Sequence, residues 1–290
     1  MKAKTPLLLL GAFALLLQIS SCKRERNKQS DRIVFDSISM ERCTHLLGDS
    51  TMPCNDIKIL FEYPSDSIPH AIADSVRRNI LNALFGPAYA SMSPSEAMSA
   101  YAAASDSTYL SDMEPLLKEE LALKPDYRPD LGLYAYVDHI TGKVVFRQDS
   151  LLVYEIEAFK YMGGSHGYGD VAYLNLDLRT GKQILLKDII AQGKDAALTD
   201  LLWKQLMADQ GVSSLESLNE MGYGTLGDLY PTDNFGISER GITFLYNEYE
   251  IAPYAMGPIQ ITLSFDSLAP ILKEDSPTAL LSAGKNGSKR

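Results

Sequence analysis

The segment Gly163-Gly164-Ser165-His166-Gly167 matches the G-x-S-x-G pattern of serine hydrolases. In those enzymes a strand leads into the serine and a helix follows it, which exposes the hydroxyl on a sharp turn. Here a strand pattern follows at residues 171–178, and the side chains of Ser165 and His166 leave the backbone in divergent directions. The sequence therefore predicts a turn that glycine permits, with His166 bonded to nearby backbone. A hydrolase that uses Ser165 and His166 is the alternative.

Tyrosines surround this turn and recur in a second segment near the carboxyl terminus. The second segment also carries Glu248, Glu250 and Pro253. A tyrosine ring offers a large, rigid contact surface with a polar tip, which suits a sugar or a protein partner. The alternative is that the rings pack their loop against its own sheet. The ligand-binding candidates are Tyr161, Ser165, His166, Tyr168, Tyr246, Tyr249 and Tyr254.

Other residues that could do chemistry lack the spacing that the chemistry needs. The histidines His45, His70, His139 and His166 show no H-x-H, H-x-x-x-H or H-E-x-x-H pattern, so we predict no metal site. Glu155 and Glu157 could form a glycosidase pair, although a solvated sheet face is the simpler interpretation. The sequence contains no phosphate-binding loop and no dinucleotide fingerprint. We predict no catalytic residue and no cofactor.

Two cysteines, Cys43 and Cys54, are close enough in sequence to form one disulfide. An even pair is typical of an oxidising compartment, and Gly48-Asp49-Ser50 with Pro53 indicate a turn between them. Closing so short a loop would stabilise the fold by roughly 3 kcal/mol. A two-thiolate metal site would need further ligands, and only His45 is near in sequence.

The elements that must position these residues change period along the chain. Ser93 and Glu96 form a capping box before a long helix, and Thr141-Gly142 is predicted to be a hairpin turn. Together these patterns predict an α+β fold, with antiparallel sheets and helices on one side. Strand patterns occupy residues 33–40, 57–63, 133–140, 144–146, 151–162, 171–178, 184–186, 242–246 and 259–263, and helix patterns occupy 68–84, 93–123, 195–209 and 267–272.

Two stretches resemble a known family. The first runs from Phe159 to Gly167, with Tyr-Met-Gly-Gly-Ser-His-Gly at its end, and continues through Asn-Leu-Asp-Leu-Arg-Thr-Gly-Lys at 175–182. The second reads Tyr-Glu-Ile-Ala-Pro-Tyr-Ala-Met-Gly at 249–257. Together they are similar to the PdaC/RsiV-like superfamily, over roughly residues 55–275.

The resemblance implies two adjoining α+β subdomains. They would be a PdaC-like part at 33–180 and an RsiV-like part at 181–275, and we expect a disordered tail at 276–290. The family occurs as the extracellular part of the anti-sigma factor RsiV, which binds lysozyme, and beside the catalytic domain of the peptidoglycan deacetylase PdaC. Because the chain shows neither an anti-sigma segment nor room for a deacetylase domain, we expect the likeness to extend to fold and compartment rather than to an activity.

The amino terminus is typical of a bacterial lipoprotein signal. An apolar run at residues 7–17 spans only about half of a bilayer core at about 1.5 Å per residue, as in a signal peptide. Ile19-Ser20-Ser21-Cys22 resembles a lipobox, which implies removal of residues 1–21 and a lipid such as palmitate on Cys22. Residues 22–32 would then be a flexible tether. A secretory signal with a chance cysteine is the alternative.

Charge limits the classes of partner. The chain has 27 Lys and Arg against 37 Asp and Glu, a formal net charge of −10. Cleavage before Cys22 would remove Lys2 and Lys4 and no acidic residue. Such a surface repels phosphate backbones, so we expect no nucleic-acid binding. It favours cationic partners, unless the acidity only keeps the protein soluble.

These features favour a non-catalytic lipoprotein of the cell envelope that binds an extracytoplasmic ligand. The ligand would be a cationic wall-lytic protein such as lysozyme, or peptidoglycan or another glycan. The body would face away from the cytoplasm, and the periplasmic and surface sides of the outer membrane both stay open. The alternatives are a hydrolase of envelope polysaccharide or peptidoglycan and a scaffold. A concave surface shared by the 163–167 turn and the tyrosines of 246–254 would favour binding.

Overall fold

A computed structural model of the chain describes residues 33–65, 71–123, 129–225, 228–278 and Leu281. The predicted signal peptide, Cys22, the tether and His70 lie outside the described residues. The strands are β1 Phe35–His45, β2 Cys54–Pro64, β3 Tyr136–Gln148, β4 Leu151–Met162, β5 Tyr168–Asp177, β6 Lys182–Gln183, β7 Phe235–Ser238, β8 Gly241–Tyr246 and β9 Ile259–Ser264. The α-helices are α1 Ala71–Phe85, α2 Pro94–Leu123, α3 Leu186–Ile189, α4 Asp195–Gln210, α5 Leu215–Glu220 and α6 Phe265–Leu268.

The strands form two sheets, and the predicted α+β class is confirmed. The large sheet has the order β1-β2-β3-β4-β5-β6, and the small sheet has the order β7-β8-β9. Neighbouring strands are antiparallel as predicted, with one exception, since β2 and β3 are parallel. The helices α1 and α2 lie between these two strands in sequence and supply the long crossover that a parallel pair requires.

The predicted hairpin at Thr141-Gly142 is wrong. Strand β3 runs through both residues, and Gly142 pairs with Phe61 on β2 and Ile156 on β4. A Cβ atom at Gly142 would lie 2.5 Å from the hydroxyl oxygen of Tyr154. This glycine therefore makes room for a neighbouring ring rather than for a turn, and the chain reverses between β3 and β4, where Asp149 has a φ of 51°.

Helices α1 and α2 cover one face of the large sheet. Ile57, Ile59 and Phe61 alternate along β2 and pack against Val76 and Ile80 of α1.

The capping box that opens α2 is present, since the Ser93 N–H donates to Glu96 Oε2 over 3.0 Å and the Glu96 N–H donates back to Ser93 Oγ over 3.3 Å. The helix then runs to Leu123 and includes Pro115.

The C-terminal elements pack against the opposite face of β4. Alternation along this strand directs Leu152 and Tyr154 to the α1–α2 side, while Leu151 and Val153 join the core formed by α4 and the small sheet. The two predicted subdomains therefore share β4. Strand β6 extends the large sheet to residue 183, and the predicted division at 180/181 stays a prediction.

The predicted tail does not begin at residue 276, because the described part of that segment is packed. Ser276 and Thr278 are buried, with their hydroxyl oxygens 2.8 Å apart, and Leu281 joins the C-terminal core. The residues after Leu281 lie outside the described part of the chain.

The predicted disulfide is present near the start of β2. Cys43 and Cys54 are bonded, with 5.6 Å between their Cα atoms, and the bond ties β1 to β2 beside the pair His45–Cys54. In the part of the chain that the structure describes, no helix has both the length and the apolar character needed to cross a membrane.

Candidate functional site

The glycine segment forms the turn between β4 and β5. Strand β4 ends at Met162 and β5 begins at Tyr168, so a strand and not a helix follows Ser165. Gly163 and Gly164 have φ values of 81° and 94°, a backbone region in which other residues are strained. The Tyr161 hydroxyl donates to the Gly164 carbonyl over 3.0 Å. The predicted turn is therefore confirmed, and the strand–serine–helix arrangement of a nucleophile elbow is absent here.

Gly167 fixes how closely the end of this turn approaches β4. It is buried, and a Cβ atom there would lie 2.5 Å from Phe159 Cζ and 2.7 Å from the Lys160 carbonyl oxygen. A larger residue would push the turn away from the strand. Glycine therefore holds the neighbouring His166 in a defined position at the edge of the sheet.

His166 belongs to a group of aromatic rings that the fold assembles from two distant segments. Its ring stacks on Tyr254 with 4.3 Å between centroids, and Tyr249 stacks on Tyr254 at 5.6 Å. The His166 Nδ1 lies 2.9 Å from the Gly167 carbonyl oxygen, so a neutral ring donates from Nδ1 and its Nε2 can accept from the Tyr249 hydroxyl, 3.5 Å away. We call His166, Tyr249 and Tyr254 the aromatic cluster.

The side chain of Asn247 attaches the tyrosine-bearing loop to β5. Its Oδ1 accepts from the Val171 N–H over 2.9 Å, and its Nδ2 donates to the Val171 carbonyl over 3.1 Å. The amide thus bonds β5 as a neighbouring strand would. Two residues later, Tyr249 has a φ of 67° while its side chain stays 53% exposed. A non-glycine residue in this region carries strain of order 1–2 kcal/mol.

An acidic cavity of about 440 Å³ opens beside the aromatic cluster. Its walls include the carboxylates of Asp170, Glu248 and Glu250 together with Tyr168, which is 44% exposed. Further lining residues are His166, Gly169, Asn247 and Tyr249. We call this space the acidic cavity. It places three negative groups and several ring faces around one opening.

The carboxylates of the acidic cavity are incompletely compensated. The Oε2 atom of Glu248 is shielded from solvent and has no hydrogen-bond partner among the described residues. Loss of solvation raises the pKa of Asp170. Loss of solvation also raises the pKa of Glu250, with a further contribution from the charge of Asp170, against the opposing effect of hydrogen bonds from Tyr230 and Asn247. A bound cation would stabilise all three carboxylates.

The structure brings four of the predicted candidates together and separates the others. His166, Tyr168, Tyr249 and Tyr254 meet at the acidic cavity or in the aromatic cluster. Tyr246 is fully buried and donates its hydroxyl to the Tyr230 carbonyl. Tyr161 braces the turn, and Ser165 is exposed on it.

Asp170 and Asn247 were not predicted to belong to this site. Alternation along β8 directs Phe244 and Tyr246 to the same buried face. This pattern is visible in the sequence and could have excluded Tyr246 as a ligand-binding candidate. No local pattern reveals the Asn247–Val171 contact, because the two residues are 76 positions apart.

The other residues considered for chemistry are engaged elsewhere. Lys143 Nζ lies 3.0 Å from Glu155 Oε1 and 2.9 Å from Glu157 Oε1, so one lysine bridges both carboxylates of this pair. His139 pairs with Asp56. Cys43, His45 and Cys54 lie close together, but the two sulfur atoms are bonded to each other and offer no thiolates.

Comparison with known proteins places this fold among proteins of one family. Residues 187–266 match the model described as "Protein of unknown function (DUF3298)". A crystal structure of a DUF3298 family member from Bacteroides fragilis NCTC 9343 is 36% identical, covers 89% of this chain and 98% of its own, and superposes with a TM-score of 0.81. A DUF3298 family protein from Pseudomonas aeruginosa PAO1 is 16% identical over 85% of this chain and 97% of its own, with a TM-score of 0.57, and shares the fold. No curated protein matches the chain.

Proposed function

The chain belongs to the DUF3298 family, and from that premise we propose that it is a non-catalytic binding protein of the cell envelope whose acidic cavity takes a cationic side chain of a protein partner. The partner class is a cationic wall-lytic protein such as lysozyme. The finer likeness to PdaC/RsiV-like proteins, carried by the motifs at 159–182 and 249–257, supports an extracytoplasmic partner of this kind.

The observation that carries the proposal is the combination of three carboxylates with exposed rings at one opening. An ammonium or guanidinium group in the cavity can pair with the carboxylates that line it and lie against a tyrosine face at the same time. A cation bound beside Asp170 and Glu250 would offset the desolvation that raises their pKa values. The net charge of −10 adds long-range attraction for a basic partner.

The strained backbone of Tyr249 supports the same site. Strain in an exposed tyrosine persists only where the surrounding loop enforces it, and such positions concentrate at ligand-binding sites. Here the two hydrogen bonds between the Asn247 side chain and the Val171 backbone hold the loop. The ring is therefore preorganised for contact, which reduces the entropy lost on binding.

The proposed location follows from the amino-terminal residues. We propose that a lipid on Cys22 anchors the chain to a membrane and that residues 22–32 tether the folded part. Several acyl chains on one residue give stable attachment, since each buried CH2 contributes about 0.8 kcal/mol. The acidic body would then meet soluble wall-lytic proteins outside the cytoplasm.

Binding of the mature chain to immobilised lysozyme at low salt tests the proposal. We expect the double variant Glu248→Gln/Glu250→Gln to bind at least about tenfold more weakly, because two charge-assisted hydrogen bonds are lost. The matched control Glu216→Gln/Glu239→Gln removes the same charge from exposed positions that do not line the acidic cavity, and it should bind as the parent does.

If both double variants bind lysozyme equally weakly, only net charge matters, and the acidic cavity is not the binding site. The chain could instead bind peptidoglycan but not lysozyme, and lose that binding in Tyr249→Ala. This result would identify the ligand as a glycan rather than a protein. Turnover of peptidoglycan that disappears in Ser165→Ala would replace binding with hydrolysis.

A further inference from the structure

A second cavity lies on the opposite side of β4 from the C-terminal core, between α2 and the ends of β2, β3 and β4. It measures about 230 Å³ and we call it the α2 cavity. Asn55, Asp138 and Lys160 line it from the sheet, and Tyr101 and Ala104 line it from the helix. The register places Asp138 beside Lys160 on β4. None of the residues that line the acidic cavity lines this one.

Two buried acceptor atoms of residues that line the α2 cavity lack donors. Asn55 is fully buried and Asp138 is 6% exposed. Neither Asn55 Oδ1 nor Asp138 Oδ1 has a hydrogen-bond partner among the described residues. An unpaired buried acceptor costs about 1–3 kcal/mol. Two such atoms at one cavity indicate a ligand that brings donors.

The orientation of the Asn55 amide is fixed by its neighbours. Its Nδ2 donates to Asp106 Oδ1 over 2.9 Å and to Ser105 Oγ over 3.1 Å. The Asp106 carboxylate only accepts, and Arg42 pairs with its other oxygen over 2.7 Å. The amide oxygen therefore cannot exchange places with the nitrogen, and it remains the atom without a donor.

The Asp138 carboxylate is held in a similar way. Its Oδ2 accepts from the Tyr101 hydroxyl over 2.7 Å, and Lys160 Nζ donates to that same hydroxyl oxygen over 2.8 Å. Desolvation, reinforced by the Asp138 charge, raises the pKa of Tyr101, so its hydroxyl keeps the proton that it donates. The other oxygen of Asp138 is left for a ligand.

The charges of the α2 cavity cancel, unlike those of the acidic cavity. Asp138 is balanced by Lys160, 3.6 Å away, and Asp106 is balanced by Arg42. A cationic ligand would find no excess negative charge here. The walls also carry three tyrosine rings, from Tyr89, Tyr101 and Tyr136, which suit the apolar face of a sugar.

We propose that the α2 cavity binds one neutral sugar residue, whose hydroxyl groups donate to Asn55 Oδ1 and Asp138 Oδ1. The cavity is smaller than the 300–1,000 Å³ typical of drug-sized ligands, and it matches a single ring rather than an extended chain. The sugar ring lies against the tyrosines while its hydroxyls satisfy the two acceptors. The α2 cavity shares no lining residue with the acidic cavity.

Ligand-observed NMR of the mature chain with glucose, galactose, mannose and N-acetylglucosamine tests the proposal. We expect saturation transfer to at least one of these sugars. Ala104→Leu should weaken that binding about tenfold or more, because the added side chain occupies the cavity from an exposed position on α2. Ala103→Leu adds the same bulk one residue earlier, outside the lining, and should bind as the parent does.

A second variant guards against a purely steric effect. Asn55→Ala removes the unpaired acceptor and should also weaken sugar binding, with circular dichroism confirming the fold. Binding of none of the four sugars, or equal binding by Ala104→Leu, would overturn the proposal and leave only water in the cavity. Binding of n-butylamine in place of the sugars would overturn it in favour of a cation site. Lysozyme binding should be unchanged in Ala104→Leu, so the two proposals fail separately.

Discussion

The acidic cavity and the α2 cavity are built from similar residue types but differ in their balance of charge. Both combine carboxylates with tyrosines. The lining of the acidic cavity contains the carboxylates of Asp170, Glu248 and Glu250 but no lysine or arginine. In the lining of the α2 cavity, by contrast, Lys160 balances Asp138. Local pairing, rather than composition, therefore decides whether a site prefers a cation or a neutral polyol.

The two cavities also differ in the rigidity of their supports. The acidic cavity depends on a turn and a loop, held by Gly167 and by the Asn247 amide. The α2 cavity is formed by three strands and a long helix, and the disulfide lies next to it because Cys54 precedes Asn55. Loop sites are more easily altered without loss of the fold. The following changes should separate the two cavities.

Removal of the disulfide should have the largest effect on stability. The Cys43→Ser/Cys54→Ser variant should lose about 3 kcal/mol of unfolding free energy in denaturant titrations, because the open loop gains entropy when unfolded. In the folded protein, sugar binding should weaken because Asn55 is adjacent to the broken bond. Lysozyme binding should persist, and its loss in parallel with sugar binding would contradict the separation.

Acidification should weaken partner binding more than sugar binding. The raised pKa values of Asp170 and Glu250 mean that these groups take up protons at higher pH than ordinary carboxyl groups near pH 4. Their attraction for a cation is present above the raised pKa values and is lost as the pH falls through them. We expect lysozyme binding to weaken as the pH is lowered from 7.5 towards the ordinary carboxyl range, by about tenfold once both charges are lost.

The control for this titration is the double variant Glu250→Gln/Asp170→Asn. It should show a smaller dependence on pH over the same range, since its amides do not titrate. An equally steep dependence would place the titrating groups outside the acidic cavity.

Relief of the backbone strain at Tyr249 should have the smallest effect on stability. Tyr249→Gly should raise the unfolding free energy by about 1 kcal/mol, because glycine tolerates the positive φ. The same change should weaken lysozyme binding, since the exposed ring is removed. Tyr249→Ala removes the ring but retains a strained Cβ, so it should weaken binding without the gain in stability.

Predictions from the sequence succeeded where the signal is local. The capping box of Ser93 and Glu96, the turn at Gly163-Gly164 and the α+β class depend on neighbouring residues and on periodicity. The hairpin predicted at Thr141-Gly142 failed because Gly142 is required by the ring of Tyr154, twelve positions later. The parallel pairing of β2 with β3 is a property of chain topology that strand patterns do not encode.

The candidate sites show the same limit. Tyrosine content identified the rings of the aromatic cluster, and alternation along β8 could have removed Tyr246. The Asn247–Val171 contact and the Asn55–Asp106 contact join residues 76 and 51 positions apart. Such contacts arise only once the sheets are assembled, so neither the acidic cavity nor the α2 cavity could be predicted from spacing.

Zero-length cross-linking of the mature chain to lysozyme with a carbodiimide tests the central claim most directly, because the reagent joins carboxylates to amines that are already in contact. Peptide mapping should place the links at Asp170, Glu248 or Glu250, and Glu248→Gln/Glu250→Gln should reduce their yield. Links confined to other acidic residues, with yields unaffected by that variant, would contradict a partner site at the acidic cavity.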